Sequence, residues 1–224
     1  MYFNKFIGVK KNLRILSILS IICPIVFIML ETITRILSNQ QDIIRIPLSE
    51  LAVGPYGWLG SLSFIALAIT LFVFTIAISA TLPEGRFYKT ILVIFFIISV
   101  CFFMAAFIKT EPNHATWSVH RVFHVIIVSM GAGLFPIGCF LVAQNIKWDE
   151  QWGSLFGFTL ITGYIALFVV GSRLFVLTYW PLLGLQELLL LSGGLIWIEV
   201  ISFKNLKISG SDIPPTFTGH PTDG

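Results

Sequence analysis

Six uninterrupted apolar runs constrain this chain more than anything else in it, at 13–37, 58–82, 90–108, 119–143, 153–177 and 182–203. As a helix rising about 1.5 Å per residue, each run spans a hydrocarbon core roughly 30 Å thick. The runs are rich in Phe, Ile and Val but lack the apolar–polar alternation of a membrane β-barrel. A helix also satisfies its own backbone without a partner strand, which decides the matter inside lipid. The pattern predicts an all-α membrane protein, a six-transmembrane-helix bundle.

Composition agrees. Hydrophobic residues make up 56% of the chain and charged residues 11%, against roughly 25% charged in a soluble domain. The mean hydropathy is +0.92. One transmembrane domain over 1–208 accommodates all six helices, and the proline- and glycine-containing stretch 209–224 reads as a disordered tail. Lys5, Lys10, Lys11 and Arg14 before the first run resemble the start of a secretory signal. That run is too long for one, and no A-x-A site follows it, so the segment reads as a retained first helix.

Turn formers and interfacial aromatics fill the connections: Gly54-Pro55-Tyr56-Gly57-Trp58, Pro83-Glu84-Gly85, Glu111-Pro112-Asn113, Trp148 to Trp152, and Tyr179-Trp180-Pro181. Only the first loop, 38–57, has room for structure of its own, a strand or an interfacial helix around 43–53. Gly153-x-x-x-Gly157 and the glycines flanking Pro136 predict close helix contacts and a kink.

Counting Lys and Arg on alternating sides orients the bundle. One side carries Lys5, Lys10, Lys11, Arg14, Arg86, Lys89, Lys147, Lys204 and Lys207; the other carries Arg35, Arg45, Lys109, Arg121 and Arg173. Nine against five predicts both termini in the cytoplasm of a multi-pass protein of the inner (cytoplasmic) membrane. The formal charge of +3 is spread along helix ends, which fits topology and membrane lipids as partners rather than nucleic acid. Oligomeric state leaves no mark in the sequence.

Ionisable groups near hydrocarbon are costly and usually face the bundle interior. In this orientation most gather at the extracytoplasmic side: Glu31 and Arg35 end the first helix, Glu50 lies in the first loop, and His120, Arg121 and His124 open the fourth helix. Arg173 ends the fifth helix, and Gln186 and Glu187 begin the sixth. Glu199 alone falls in the inner half. Glu31, Arg35, Glu50, His120, Arg121, His124, Arg173 and Glu187 are the candidate ligand-binding set, with structural ion pairing as the plain alternative role: Arg121 and Arg173 need counter-charges, and Glu31, Glu50 and Glu187 are available. A freed arginine would suit an anionic head group.

His120 and His124 stand four apart and share a helix face, a spacing compatible with a metal, with His114 and Glu111 in the preceding loop within reach. H-E-x-x-H is absent, as are Gly-x-Ser-x-Gly, a glycine-rich phosphate loop and any paired Cys spacing. Cys23, Cys101 and Cys139 read as small apolar residues. Ser49, Ser118 and Ser172 read as capping or packing residues. No catalytic residue and no cofactor is assigned.

Three segments carry a family likeness: Ser49-Glu50-Leu51-Ala52-Val53-Gly54-Pro55-Tyr56-Gly57-Trp58, the start of the fourth span at His120, and Gly184-Leu185-Gln186-Glu187-Leu188 leading to Trp197. With them the chain resembles the domain-of-unknown-function 998 family, polytopic membrane proteins of bacteria and archaea. The resemblance implies a Ser-Glu or Ser-Asp pair in the first outer loop, kept as Ser49-Glu50, and a histidine pair four apart opening the fourth helix, kept as His120 and His124. It also implies an acidic–arginine pair early in the sixth helix, where this chain has Gln186-Glu187 instead. The family brings no known activity.

The function read from the sequence is therefore a membrane protein of unknown biochemistry, more in keeping with a non-enzyme, whose outer polar cluster binds a lipid head group or small anion. The alternatives are a membrane-embedded metal-dependent or acid/base enzyme using His120 and His124, and a small transporter. The transporter reading is opposed by the scarcity of mid-membrane polar residues and of paired broken helices.

Overall fold

The structure is a computed structural model that describes residues 2–110, 118–176 and 182–210, with side chains over 12–110, 118–173 and 182–209. The described residues form six long helices: α1 (Tyr2–Leu37), α2 (Gly57–Ser79), α3 (Tyr88–Phe107), α4 (Val119–Ile146), α5 (Phe156–Val176) and α6 (Leu183–Gly210). All six are long and apolar enough to cross a membrane, and the protein is a multi-pass membrane protein. Helix α6 runs past 203 through Ser209 and Gly210, residues that the sequence reading gave to the tail. Asn205 and Ser209 are buried there, so the last turns still have a packing face.

Each helix packs on its neighbours in the chain, and α6 returns to α1, closing a ring that α6 also crosses to touch α2. Consecutive helices run antiparallel because the connections are short. Around the ring, large apolar side chains such as Ile22, Phe96 and Phe168 point outward. With lipid as apolar as the interior, close packing rather than expulsion from water must hold the helices together.

The packing centre is Trp197 of α6. Its ring, fully buried, meets Phe74 of α2, Phe95 of α3 and Phe135 of α4 with centroids 5.4, 5.6 and 5.8 Å away. Its indole N–H donates to Thr159 Oγ1 of α5 at 3.2 Å, so one side chain ties α6 to four other helices. Close approach rests on glycines: Gly131 against Cys101 and Gly138 against Phe95 join α4 to α3, and Gly163 against Phe140 joins α5 to α4. The Gly153-x-x-x-Gly157 pair plays no such part. Gly153 sits in a 3-10 turn (Gly153–Leu155) against the carbonyls of Ile146 and Lys147, and Gly157 faces open space.

The two ends of the bundle are built differently. At one end, Trp152 Nε1 donates to the Thr81 carbonyl at 2.9 Å, Asn145 Nδ2 donates to the Pro83 carbonyl at 2.6 Å, and Thr81 Oγ1 hydrogen-bonds Asn205. These are neutral bonds between connections and helix ends. The Glu31–Arg35, Asp42–Arg45 and Arg173–Glu187 ion pairs lie at the other end, under and within the first loop.

Candidate functional site

The first loop is a plug rather than a strand. Helix α1 stops where Asn39 takes a left-handed φ of 53°, a conformation asparagine tolerates. A turn over 43–46 follows, then a 3-10 helix at Leu48–Ala52. Leu48, Leu51 and Ala52 of that helix are buried against the bundle. Glycines make the fit possible. A Cβ on Gly57 or Gly60 would run into the backbone of Ala52 and Leu51, and one on Gly184 would run into the carbonyls of Ile43, Ile44 and Ile46.

Burying a loop requires partners for its backbone polar groups. Glu187, one turn into α6, supplies them: its Oε2 accepts the Leu48 N–H at 2.8 Å, and the carboxylate also accepts the Ser49 N–H. Pro47, which has no N–H, precedes these two residues, so the carboxylate meets the first free donors of the short helix. The Leu185 N–H donates to the Ile44 carbonyl at 3.0 Å, and Arg35 Nη1 donates to the Ile46 carbonyl at 3.3 Å. The plug is thus pinned from both α6 and α1.

The charges are largely matched in place. Arg35 Nε lies 2.8 Å from Glu31 Oε1, one helical turn away. Arg173 Nη2 lies 3.5 Å from Glu187 Oε1, tying the end of α5 to the start of α6. Beside it, Gln186 Nε2 donates to Ser172 Oγ at 2.9 Å. Glu50 is half-buried and has a partner of its own, as does the buried Arg121, whose backbone N–H donates to the capping Ser118 Oγ at 3.2 Å. The structure therefore brings Glu31, Arg35, Arg173 and Glu187 together with the backbone of the plug.

The histidines separate. His120 is exposed at the start of α4, whereas His124 is 2% exposed. His124 Nδ1 lies 2.5 Å from the Ile108 carbonyl at the end of α3, and its ring meets Phe64 edge-on. A carbonyl only accepts, so Nδ1 carries the proton there. Among the described residues no three His, Cys, Asp or Glu side chains are grouped to hold a metal. Glu111 and His114 lie outside the described residues.

What sequence reasoning passed over is a furrow between α1 and α6. It has a volume of about 470 Å³ and opens beside the plug. Glu31, Arg35 and Glu187 form its mouth, and Phe27, Leu191 and Leu195 form its apolar walls. Farther along α6, Glu199 also lines it. The signal was present in the spacing: Pro24, Phe27, Ile28, Glu31 and Arg35 recur at three- and four-residue steps on α1, as do Gly184, Glu187, Leu188, Leu191 and Leu195 on α6. In an all-apolar helix that stripe stands out only once the partner helix is known.

A family model described as "Protein of unknown function (DUF998)" matches residues 21–204, and the chain belongs to that family. No curated protein and no solved structure matches it.

Proposed function

We propose that this DUF998 protein holds an amphiphilic molecule in the furrow between α1 and α6, a lipid or lipid-like compound whose polar head meets Glu31, Arg35 and Glu187 at the mouth. Its chain lies along Phe27, Leu191 and Leu195. The observation that carries this reading is the furrow itself, apolar-walled, charged at one end and of a size within the range of roughly 300–1,000 Å³ usual for ligand sites. The small-anion version of the reading has less support, because Arg35 and Arg173 already face carboxylates. Arg35 keeps donors beyond its bonds to Glu31 and Ile46, enough to meet a head group's oxygen. In the same reading the mouth faces the extracytoplasmic side of the inner membrane, supported by the lysine and arginine bias of the connections.

Native mass spectrometry on protein released in mild detergent tests it. Wild-type protein retains a co-purified amphiphile, and Ile28→Trp, which places an indole in the furrow from an otherwise half-exposed position, loses it while keeping its thermal stability. A folded Ile28→Trp variant carrying the same amphiphile at the same occupancy overturns the reading.

A further inference from the structure

Glu199 is a carboxylate near the middle of a membrane-spanning helix. It follows Glu187 on α6 by twelve residues, roughly 18 Å of helix at about 1.5 Å per residue. That distance places it well below the charged mouth. Pro24, Ile196, Val200 and Phe203, which line the furrow with it, offer no donor, and Ser192, two turns back in the same lining, gives its hydroxyl to the Leu189 carbonyl at 3.3 Å. Among the described residues no arginine, lysine, histidine or hydrogen-bond donor pairs with it, whereas each carboxylate at the mouth has its own partners. Ionisable groups inside a membrane are expensive, and they normally pair with another group or line a pathway. Glu199 thus lines the cavity with no partner among the described residues, which leaves the cavity's occupant to supply one.

The charge of the lining gives that partner its sign. Glu31, Glu187 and Glu199 face the furrow, with Arg35 as the only cation among the described lining residues. An anionic group moving inward from the mouth would leave Arg35 behind and meet only Glu199. A cationic group would exchange the carboxylates of the mouth for one with no competitor, in a low-dielectric setting where such a pair gains strength. We propose that Glu199 is an anchoring site for the protonated nitrogen of a lipophilic amine that lies in the furrow, with its chain against Leu195 and Ile196. The proposal rests on the furrow's being an amphiphile site and adds the class of ligand and the residue that selects it.

The test compares dodecylammonium with uncharged dodecanol by native mass spectrometry, titrating each onto detergent-solubilised wild type, Glu199→Gln, Glu199→Asp and Ile28→Trp. The expected result is tighter binding of dodecylammonium than of dodecanol to wild type, and a loss of about tenfold or more for the amine in Glu199→Gln. Glu199→Asp restores part of that loss, and dodecanol binding stays the same across the Glu199 variants. Equal amine binding by wild type and Glu199→Gln, with both probes lost in Ile28→Trp, overturns the amine site and leaves the furrow standing. Failure of either probe to respond to Ile28→Trp, or to bind at all, overturns the furrow reading and the amine site with it. Unchanged elution and thermal midpoint for Glu199→Gln exclude misfolding as the cause of a loss.

Discussion

Glu187 Oε2 accepts the backbone N–H of Leu48 at 2.8 Å across 139 residues of chain, joining the start of the last helix to the plug that follows the first. A carboxylate in this position both closes the loop's hydrogen-bonding deficit and faces Arg173 at 3.5 Å. Replacing it by alanine leaves a buried amide without its acceptor and an arginine without its counter-charge. Glu187→Ala is expected to destabilise the protein by about 1–3 kcal/mol, read as a lowered thermal midpoint in detergent. Glu187→Gln, which keeps an acceptor oxygen, costs less. A double-mutant cycle with Arg173→Ala separates the ion pair from the loop bonds; independent effects of the two substitutions would show that the 3.5 Å pair adds nothing.

The glycines of α6 differ sharply in what surrounds them. A Cβ on Gly184 collides with three loop carbonyls, whereas one on Gly193 meets nothing within 4 Å. Gly184→Ala is therefore expected to push the plug off α6 at a cost of about 1–3 kcal/mol, seen as faster proteolysis within 39–46. Gly193→Ala is neutral or slightly stabilising, since alanine suits a helix better than glycine. Equal behaviour of the two variants would refute the loop's placement over Gly184.

Two histidines a helical turn apart make different uses of their positions. His120 is exposed, while His124 is buried and bonded to the Ile108 carbonyl. His124→Ala is expected to lose about 1–3 kcal/mol through the stranded carbonyl and the void beside Phe64, and His120→Ala is expected to change the thermal midpoint little. A shared metal ion would instead make the two substitutions alike and would appear as stoichiometric metal lost from both.

Orientation is open to a direct measurement. With Cys23, Cys101 and Cys139 replaced by serine or alanine, a single cysteine at the exposed Gln41 is expected to react with a membrane-impermeant maleimide on intact cells. One at the exposed Glu150, on the opposite connection, reacts only after lysis. The reverse pattern would invert the bundle and put the furrow's mouth in the cytoplasm.

Gln186 and Glu187 illustrate how far the site was legible before the fold. Their place at the start of the sixth span, on the same side as Glu31 and Arg35, followed from the number and length of the runs, because each crossing reverses the side. Which carboxylate serves which partner did not follow. Glu31 stood available to Arg121 and Arg173 in the sequence, yet it pairs with Arg35, one turn away on its own helix. Arg173 with Glu187 and Glu187 with Leu48 join separate elements, so their pairing depends on how the helices rotate about their axes. The i, i+4 spacing of His120 and His124 gave no warning that they would differ in burial, because it fixes their shared side of α4 and not how far the end of α3 reaches: it covers His124 and leaves His120, a turn earlier, exposed. Gly157 misled because a small-residue spacing does not say what packs on it: apart from its own stretch of chain, no described residue comes within 4 Å of a Cβ placed there.

Sequence by itself determined that this chain is six membrane-crossing helices, with the ionisable groups within or beside its spans gathered mainly toward one end. Hydrocarbon permits few other arrangements for runs of that length, and it penalises charge wherever the run is deepest. Only the tertiary structure decided that the first loop folds back as a plug, that α6 carries the central tryptophan, and that a furrow runs from Glu187 past Glu199. In helices apolar on every side, no polar face records which side turns inward, so that choice is made by steric fit: glycine against backbone, and ring against ring.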